Sequence, residues 1–70
     1  MENETTIICN GLSQSLENGS TIGALLSAKK IDPASVVVEL NKGIIQKEKF
    51  VSTVLKNNDS VEILHFVGGG

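Results

Sequence analysis

The sequence predicts an α+β fold in which a small mixed β-sheet packs against one main helix. Three observations support this prediction. Apolar, β-branched segments typical of strands occur near both ends, at residues 5–9 and 61–67. The first of them runs into an Asn-Gly pair, and a stretch with helical spacing begins at Ile22. With 70 residues, 40% of them hydrophobic and 20% charged, the chain is long enough for one domain with a modest core.

The first predicted unit is a β-hairpin. Residues 5–9 read Thr-Thr-Ile-Ile-Cys, which favours a strand. Asn10 and Gly11 both tolerate positive φ, so together they predict a tight turn. Residues 12–16 then interleave leucines with polar residues, as a return strand would, and residues 17–19 end it.

The second unit is the helix. Thr21 can cap it through its hydroxyl group, and Gly23 inside it indicates close packing there. Lys29 and Lys30 are predicted to lie in its last turn, before Pro33 forbids continuation. The apolar stripe at the spacing i, i+3, i+4 consists of Ile22, Leu25 and Leu26.

Two further strands follow. Residues 36–40, Val-Val-Val-Glu-Leu, form a β-branched run typical of an interior strand. Residues 41–43 predict a turn, and Ile44 and Ile45 a short strand after it.

The last third of the chain carries weaker patterns. Residues 47–55 predict a helical turn that buries Phe50 and Val54. Residues 57–60 predict a loop, in which asparagine can adopt positive φ. The final strand is predicted over residues 61–67. The order hairpin, helix, strand, short strand, helical turn, strand is of the β-grasp kind, and the right-handed crossover rule makes the first and last strands neighbours.

Three glycines end the sequence. We expect a β-grasp domain over residues 1–67 and a flexible tail over residues 68–70, because glycine adds no packing and loses the most entropy on ordering. A tail without Cβ atoms can enter a narrow channel and present a terminal carboxylate there. The pattern therefore favours delivery of that carboxylate into another protein's active site.

Six segments, taken in order, cover nearly the whole chain and carry a resemblance to a known family: residues 7–11, 21–26, 31–33, 36–45, 58–63 and 66–70. On these segments the chain resembles the ThiS family of ubiquitin-like sulfur carriers of thiamine biosynthesis. Phe50 stands where many members have tryptophan, and Asn58 where they usually have glycine.

The resemblance implies a mechanism. An E1-like adenylyltransferase of the ThiF type would adenylate the carboxylate of Gly70, using ATP and magnesium that this chain does not itself bind. A sulfur donor such as a cysteine desulfurase would convert it to a thiocarboxylate. Gly68 and Gly69 would enter the partners' active sites, and the sulfur would pass to a thiazole synthase of the ThiG type.

A docking surface beside this tail follows from strand alternation. If Val61 and Ile63 point into the core, then Leu64 and Phe66 face outward, where they could contact a partner. Val67 would join this surface to the glycines. Cys9, in an apolar strand, is expected to be a small buried side chain.

Composition excludes several other classes. A net charge of −2 with no arginine argues against nucleic-acid binding, and no apolar run is long enough to cross a membrane. One cysteine and one histidine cannot build a structural metal site, and no nucleophile or acid–base constellation indicates an enzyme. We expect a cytoplasmic protein, monomeric when free.

Three alternatives stay open. The chain could be a molybdopterin-type sulfur carrier, although those usually run longer. It could be a ubiquitin-like modifier joined through Gly70 to lysines. It could also be a β-grasp interaction module that would keep its function when Gly69 and Gly70 are deleted.

Overall fold

The computed structural model describes residues 3–66, and these form one five-stranded mixed sheet with one α-helix. The strands lie in the order β2-β1-β5-β3-β4. β1 and β5 run parallel at the centre, and the other neighbouring pairs are antiparallel. This confirms the predicted α+β class and the ubiquitin-like β-grasp topology. The elements are β1 Glu4–Cys9, β2 Leu12–Glu17, α1 Ile22–Ala28, β3 Val36–Leu40, β4 Gly43–Ile45 and β5 Ser60–His65, with 3₁₀ turns at Pro33–Ser35 and Lys47–Lys49.

Both hairpins turn through residues with positive φ. Asn10 and Gly11 have φ of 50° and 84°, which confirms the first predicted turn. In the second hairpin the positive φ values fall on Asn41 (51°) and Lys42 (76°), and Gly43 is already the first residue of β4. Lys42 therefore adopts a left-handed backbone conformation that glycine would adopt with less strain.

The core lies between the sheet and the helix. Thr21 caps α1 as predicted, because its hydroxyl oxygen accepts a hydrogen bond of 3.1 Å from the backbone N–H of Ala24. The helix buries its apolar stripe against the inward residues of the sheet. The most deeply buried side chains are Ile7, Ile22, Leu25, Leu26, Val38 and Val61.

Gly23 packs tightly, as expected, against the chain around residue 50. Its backbone N–H donates to the carbonyl oxygen of Phe50 at 2.9 Å. A Cβ atom on Gly23 would lie 3.4 Å from that same oxygen. The glycine thus lets the helix approach the backbone of Phe50 closely.

The helix ends earlier than predicted. Its last residue is Ala28, so the placement of Lys29 and Lys30 in the last turn was wrong. Lys30 has φ of 60°, and the N–H groups of Lys30 and Ile31 bond back into the helix at 3.0 and 2.9 Å. This is a Schellman ending with lysine at the left-handed position. The half-buried Ile31 packs against the core beyond it.

Residues 47–55 also differ from the prediction. Phe50 is buried as expected, but Val54 is 45% exposed and Leu55 is buried in its place. The helical spacing does not apply there, because only a 3₁₀ turn forms and the chain then extends. Val54 makes a β-bridge with Thr21, and the N–H of Leu55 donates to the carbonyl of Ser20 at 2.8 Å.

β5 is shorter than the predicted strand, since it ends at His65. The N–H of Phe66 still donates to the carbonyl of Ser35 at 3.0 Å, which continues the ladder with β3 by one residue. In the loop before β5, Asn58 has φ of 73°, as its predicted role requires. Val67 and the tail over residues 68–70 lie outside the described residues.

Candidate functional site

β5 separates its side chains by face, as the sequence predicted. Val61 and Ile63 are buried in the core, whereas Leu64 is 48% exposed. Phe66 is 61% exposed, and the continued ladder places it on the same side as Leu64. The predicted exposure of this pair is confirmed, and its role in docking stays a prediction.

Other strands contribute apolar side chains to the same surface. Val37 lies directly opposite Leu64 in the pairing of β3 with β5. Ile8 alternates with the buried Ile7 and Cys9, so it faces away from the helix. We call this helix-free side of the sheet the open face. Its apolar residues are Ile8, Val37, Ile44, Leu64 and Phe66.

Sequence reasoning did not place Ile8 and Ile44 on this surface. Strand alternation within residues 5–9 could have placed Ile8, because it puts Thr5 and Ile7 on one face of the sheet and Ile8 on the other. Ile44 could not be placed from the local pattern, since Ile44-Ile45 reads equally well in either register. The pairing of Ile44 with Glu39 decides it.

Two carboxylates also lie on the open face. Glu39 and Glu62 are direct partners in the antiparallel pairing of β3 with β5. Both are half-buried. The face is therefore apolar with a negatively charged centre.

Two asparagines hold β5 in place from either side. The Oδ1 atom of Asn10 accepts the N–H of Ile63 at 2.7 Å, and its Nδ2 donates to the carbonyl of Ile63 at 3.3 Å. Asn41 accepts the N–H of Ser60 at 2.9 Å and donates its own N–H to the carbonyl of Ser60 at 2.7 Å. These four hydrogen bonds fix β5, the last strand before the glycines in the sequence. Sequence reasoning had treated both asparagines only as turn residues.

The remaining reactive side chains offer little chemistry. Cys9 is buried, as predicted, and burial raises the pKa of its thiol. The nearby charge of Lys29 lowers that pKa and the charge of Glu62 raises it, both by less than burial does. Within residues 3–66 there is neither a pocket nor a group of side chains able to hold a metal ion. No helix in that part of the chain is long and apolar enough to span a membrane.

The predicted tail lies outside the residues that the structure describes. Gly68, Gly69 and Gly70, with Val67 before them, lie outside residues 3–66. The structure therefore describes β5 and its continuation to Phe66, and the roles assigned to these four residues stay predictions.

Comparison with known proteins gives a consistent result. The model of the ThiS family matches residues 3–70. The sulfur carrier protein ThiS of Bacillus subtilis is 46% identical over 50 residues, which cover 71% of this chain and 76% of that protein. A thiazole synthase of Magnetococcus marinus is 36% identical over 61 residues, 87% of this chain but only 19% of that protein. The chain thus spans about a fifth of that relative's length.

Solved structures agree with the sequence comparison. The crystal structure of a thiamine biosynthesis protein, ThiS, from Geobacter metallireducens superposes with a TM-score of 0.81 at 35% identity. The superposition covers 94% of this chain and all of that one. The family match, the curated relative and the shared topology lead to one conclusion: the chain belongs to the ThiS family of sulfur carriers of thiamine biosynthesis.

Proposed function

We propose that this chain carries sulfur for thiamine biosynthesis as a thiocarboxylate on Gly70. The observation that carries the proposal is the family match, which runs to residue 70 and so includes the three terminal glycines. The proposal assigns this chain no catalysis of its own. It acts as a co-substrate whose end is modified and used by partner enzymes in the cytoplasm.

The proposed chemistry begins with activation, because a carboxylate is a poor electrophile. An E1-like adenylyltransferase of the ThiF type joins the Gly70 carboxylate to AMP from ATP and releases pyrophosphate. The terminal sulfur of a persulfide, made by a donor such as a cysteine desulfurase, then displaces AMP. A thiol reduces the resulting acyl disulfide and frees the thiocarboxylate.

The proposed acceptor is a thiazole synthase. Support comes from the relatives that bear this name, since a segment similar to this chain lies within their longer polypeptides. A thiocarboxylate sulfur is a good nucleophile, so delivery to such an enzyme needs only positioning by the carrier.

The proposal also gives the exposed end of β5 a role. Leu64 and Phe66 would dock on the partner while Val67 directs Gly68 and Gly69 into its active site. Exposed apolar side chains grouped at the end of β5 support this, because such groups commonly mark protein interfaces. The adenylyltransferase and the thiazole synthase both act on the carboxyl group of Gly70, so they would bind Leu64 and Phe66 one after the other.

Intact-mass measurement tests the function. The protein is incubated with an E1-like adenylyltransferase, ATP, magnesium, cysteine and a desulfurase, and the expected product has one oxygen replaced by sulfur. A variant without Gly70 should show no such product. The enzyme is first confirmed on the Bacillus subtilis ThiS protein, so an unchanged mass for this chain would refute the proposal. Lysine conjugates found in cells would instead favour a ubiquitin-like modifier.

A further inference from the structure

The paired carboxylates of the open face are the feature that the carrier chemistry leaves unexplained. Glu39 and Glu62 stand directly opposite each other on neighbouring antiparallel strands. Directly opposed side chains in such a pair have Cβ atoms about 5 Å apart. Like charges at this separation repel, and half-burial weakens the screening by water.

Nothing in the described part of the chain neutralises this pair. No hydrogen bond or ion pair joins either carboxylate to another side chain of residues 3–66. The lysines lie outside the strands that carry the two carboxylates. Lys29 and Lys30 follow the helix, and Lys42 lies in the second hairpin turn. The other three, at positions 47, 49 and 56, lie between β4 and β5.

Apolar side chains flank the two carboxylates on two sides, along β4 and towards the end of β5. Ile44 lies opposite Glu39 on the β4 side, and the next pair along β3 and β5 is Val37 with Leu64. Ile44 and Leu64 are both strongly exposed. A partner that covered them would exclude water around the carboxylates and strengthen any charge pairing made there.

We propose that the open face binds a protein surface on which one basic side chain, framed by apolar residues, inserts between Glu39 and Glu62. This inference rests on the proposed function, and the partner meant is the enzyme that adenylates Gly70. A guanidinium group fits best, because its donors are spread in a plane and can serve two carboxylates together.

Charge complementarity selects this occupant over others. A second copy of the chain docked through the same face would bring four carboxylates together, two from each copy. Anionic lipid and nucleic acid would be repelled by the same pair on a chain of net charge −2. A basic protein surface gains attraction and also removes the repulsion that the free chain carries.

The test is binding of the adenylating enzyme to the double variant E39Q/E62Q, measured by calorimetry at two salt concentrations. We expect the dissociation constant to rise at least about tenfold and its salt dependence to fall, since two charges leave a water-excluded contact. E48Q is the matched control. It removes the same kind of charge from the 3₁₀ turn at Lys47–Lys49, outside the strands that form the open face, and should bind like wild type.

The double variant should unfold at the same or a higher urea concentration, because glutamine removes repulsion without changing size. Weaker binding therefore cannot come from loss of the fold. Wild-type affinity and salt dependence in E39Q/E62Q would overturn the inference and leave the proposed function standing if the wild-type chain still acquires sulfur. If the wild-type chain binds the enzyme but acquires no sulfur, the proposed function fails. The binding of E39Q/E62Q compared with E48Q then still tests whether the open face holds a basic side chain.

Discussion

Asn10 and Ile63, 53 residues apart in sequence, are joined by two hydrogen bonds between the side-chain amide of one and the backbone of the other. The amide continues the parallel pairing of β1 with β5 past the point where β1 turns away. One residue thus makes the hairpin turn and holds the strand that leads to the candidate site.

The first prediction concerns this contact. Asn10→Gly keeps the positive φ and removes both hydrogen bonds, so we expect the free energy of unfolding in urea to fall by about 1–2 kcal/mol. An exposed asparagine outside β5 pairing serves as control: Asn58→Gly keeps its own positive φ and its backbone bond to Thr6, and should cost less. Equal stability of N10G and wild type would show that the amide contributes nothing.

A second prediction compares two neighbours, Val54 and Leu55. Leu55→Ala should destabilise the fold by about 2–5 kcal/mol, because a side chain only 2% exposed leaves a cavity. Val54→Ala should cost about 0.5 kcal/mol or less, since that side chain is 45% exposed. Thermal or urea unfolding of both variants checks this. A larger loss for V54A than for L55A would contradict the packing described.

The third prediction concerns Lys30, which has left-handed backbone geometry after the helix. Lys30→Gly should stabilise the protein by about 0.5–1 kcal/mol, because relief of the strain outweighs the greater freedom of glycine in the unfolded chain. Lys30→Ala removes the same charge and keeps the strain, so it should not share the gain. If both variants gained equally, the cause would be charge and not backbone geometry.

The fourth prediction uses the pKa of Cys9. Burial raises this pKa above the ordinary thiol value of 9.0, so the folded state holds its proton more strongly than the unfolded state. The resulting stability is present below pH 9.0 and is lost as the pH rises through the higher folded-state pKa. Urea unfolding between pH 7 and 10.5 should show this fall in wild type and a smaller one in Cys9→Ala. Identical pH profiles would rule out a contribution from the thiol.

A fifth prediction addresses docking. Leu64→Ala should raise the KM for thiocarboxylate formation several-fold and leave kcat and the urea midpoint nearly unchanged, because the side chain is 48% exposed and packs little in the free protein. Val51→Ala is the control, since Val51 is 77% exposed and lies in the segment after the second 3₁₀ turn. Equal KM values for L64A, V51A and wild type would remove Leu64 from the docking surface.

The sequence by itself determined the local elements. Asn10-Gly11 favours a tight turn because both residues tolerate positive φ, and Thr21 followed by the apolar stripe indicates where the helix begins. Strand alternation predicted that Leu64 and Phe66 share one face, which points outward if Val61 and Ile63 point into the core. These features depend on neighbours within a few residues, so pattern and propensity suffice to predict them, and the order of elements then restricts the topology to a β-grasp sheet.

Tertiary structure decided what depends on distant pairing. The sequence predicted that Val54 is buried, whereas the structure buries Leu55 and exposes Val54. The reason is the β-bridge between Val54 and Thr21, which holds the chain extended there. The opposition of Glu39 and Glu62 exists only through the register of β3 with β5, which no local pattern contains. A shift of one residue in that register would turn every side chain of β5 to the other face. The charged and apolar open face is therefore a product of strand pairing and not of any single segment.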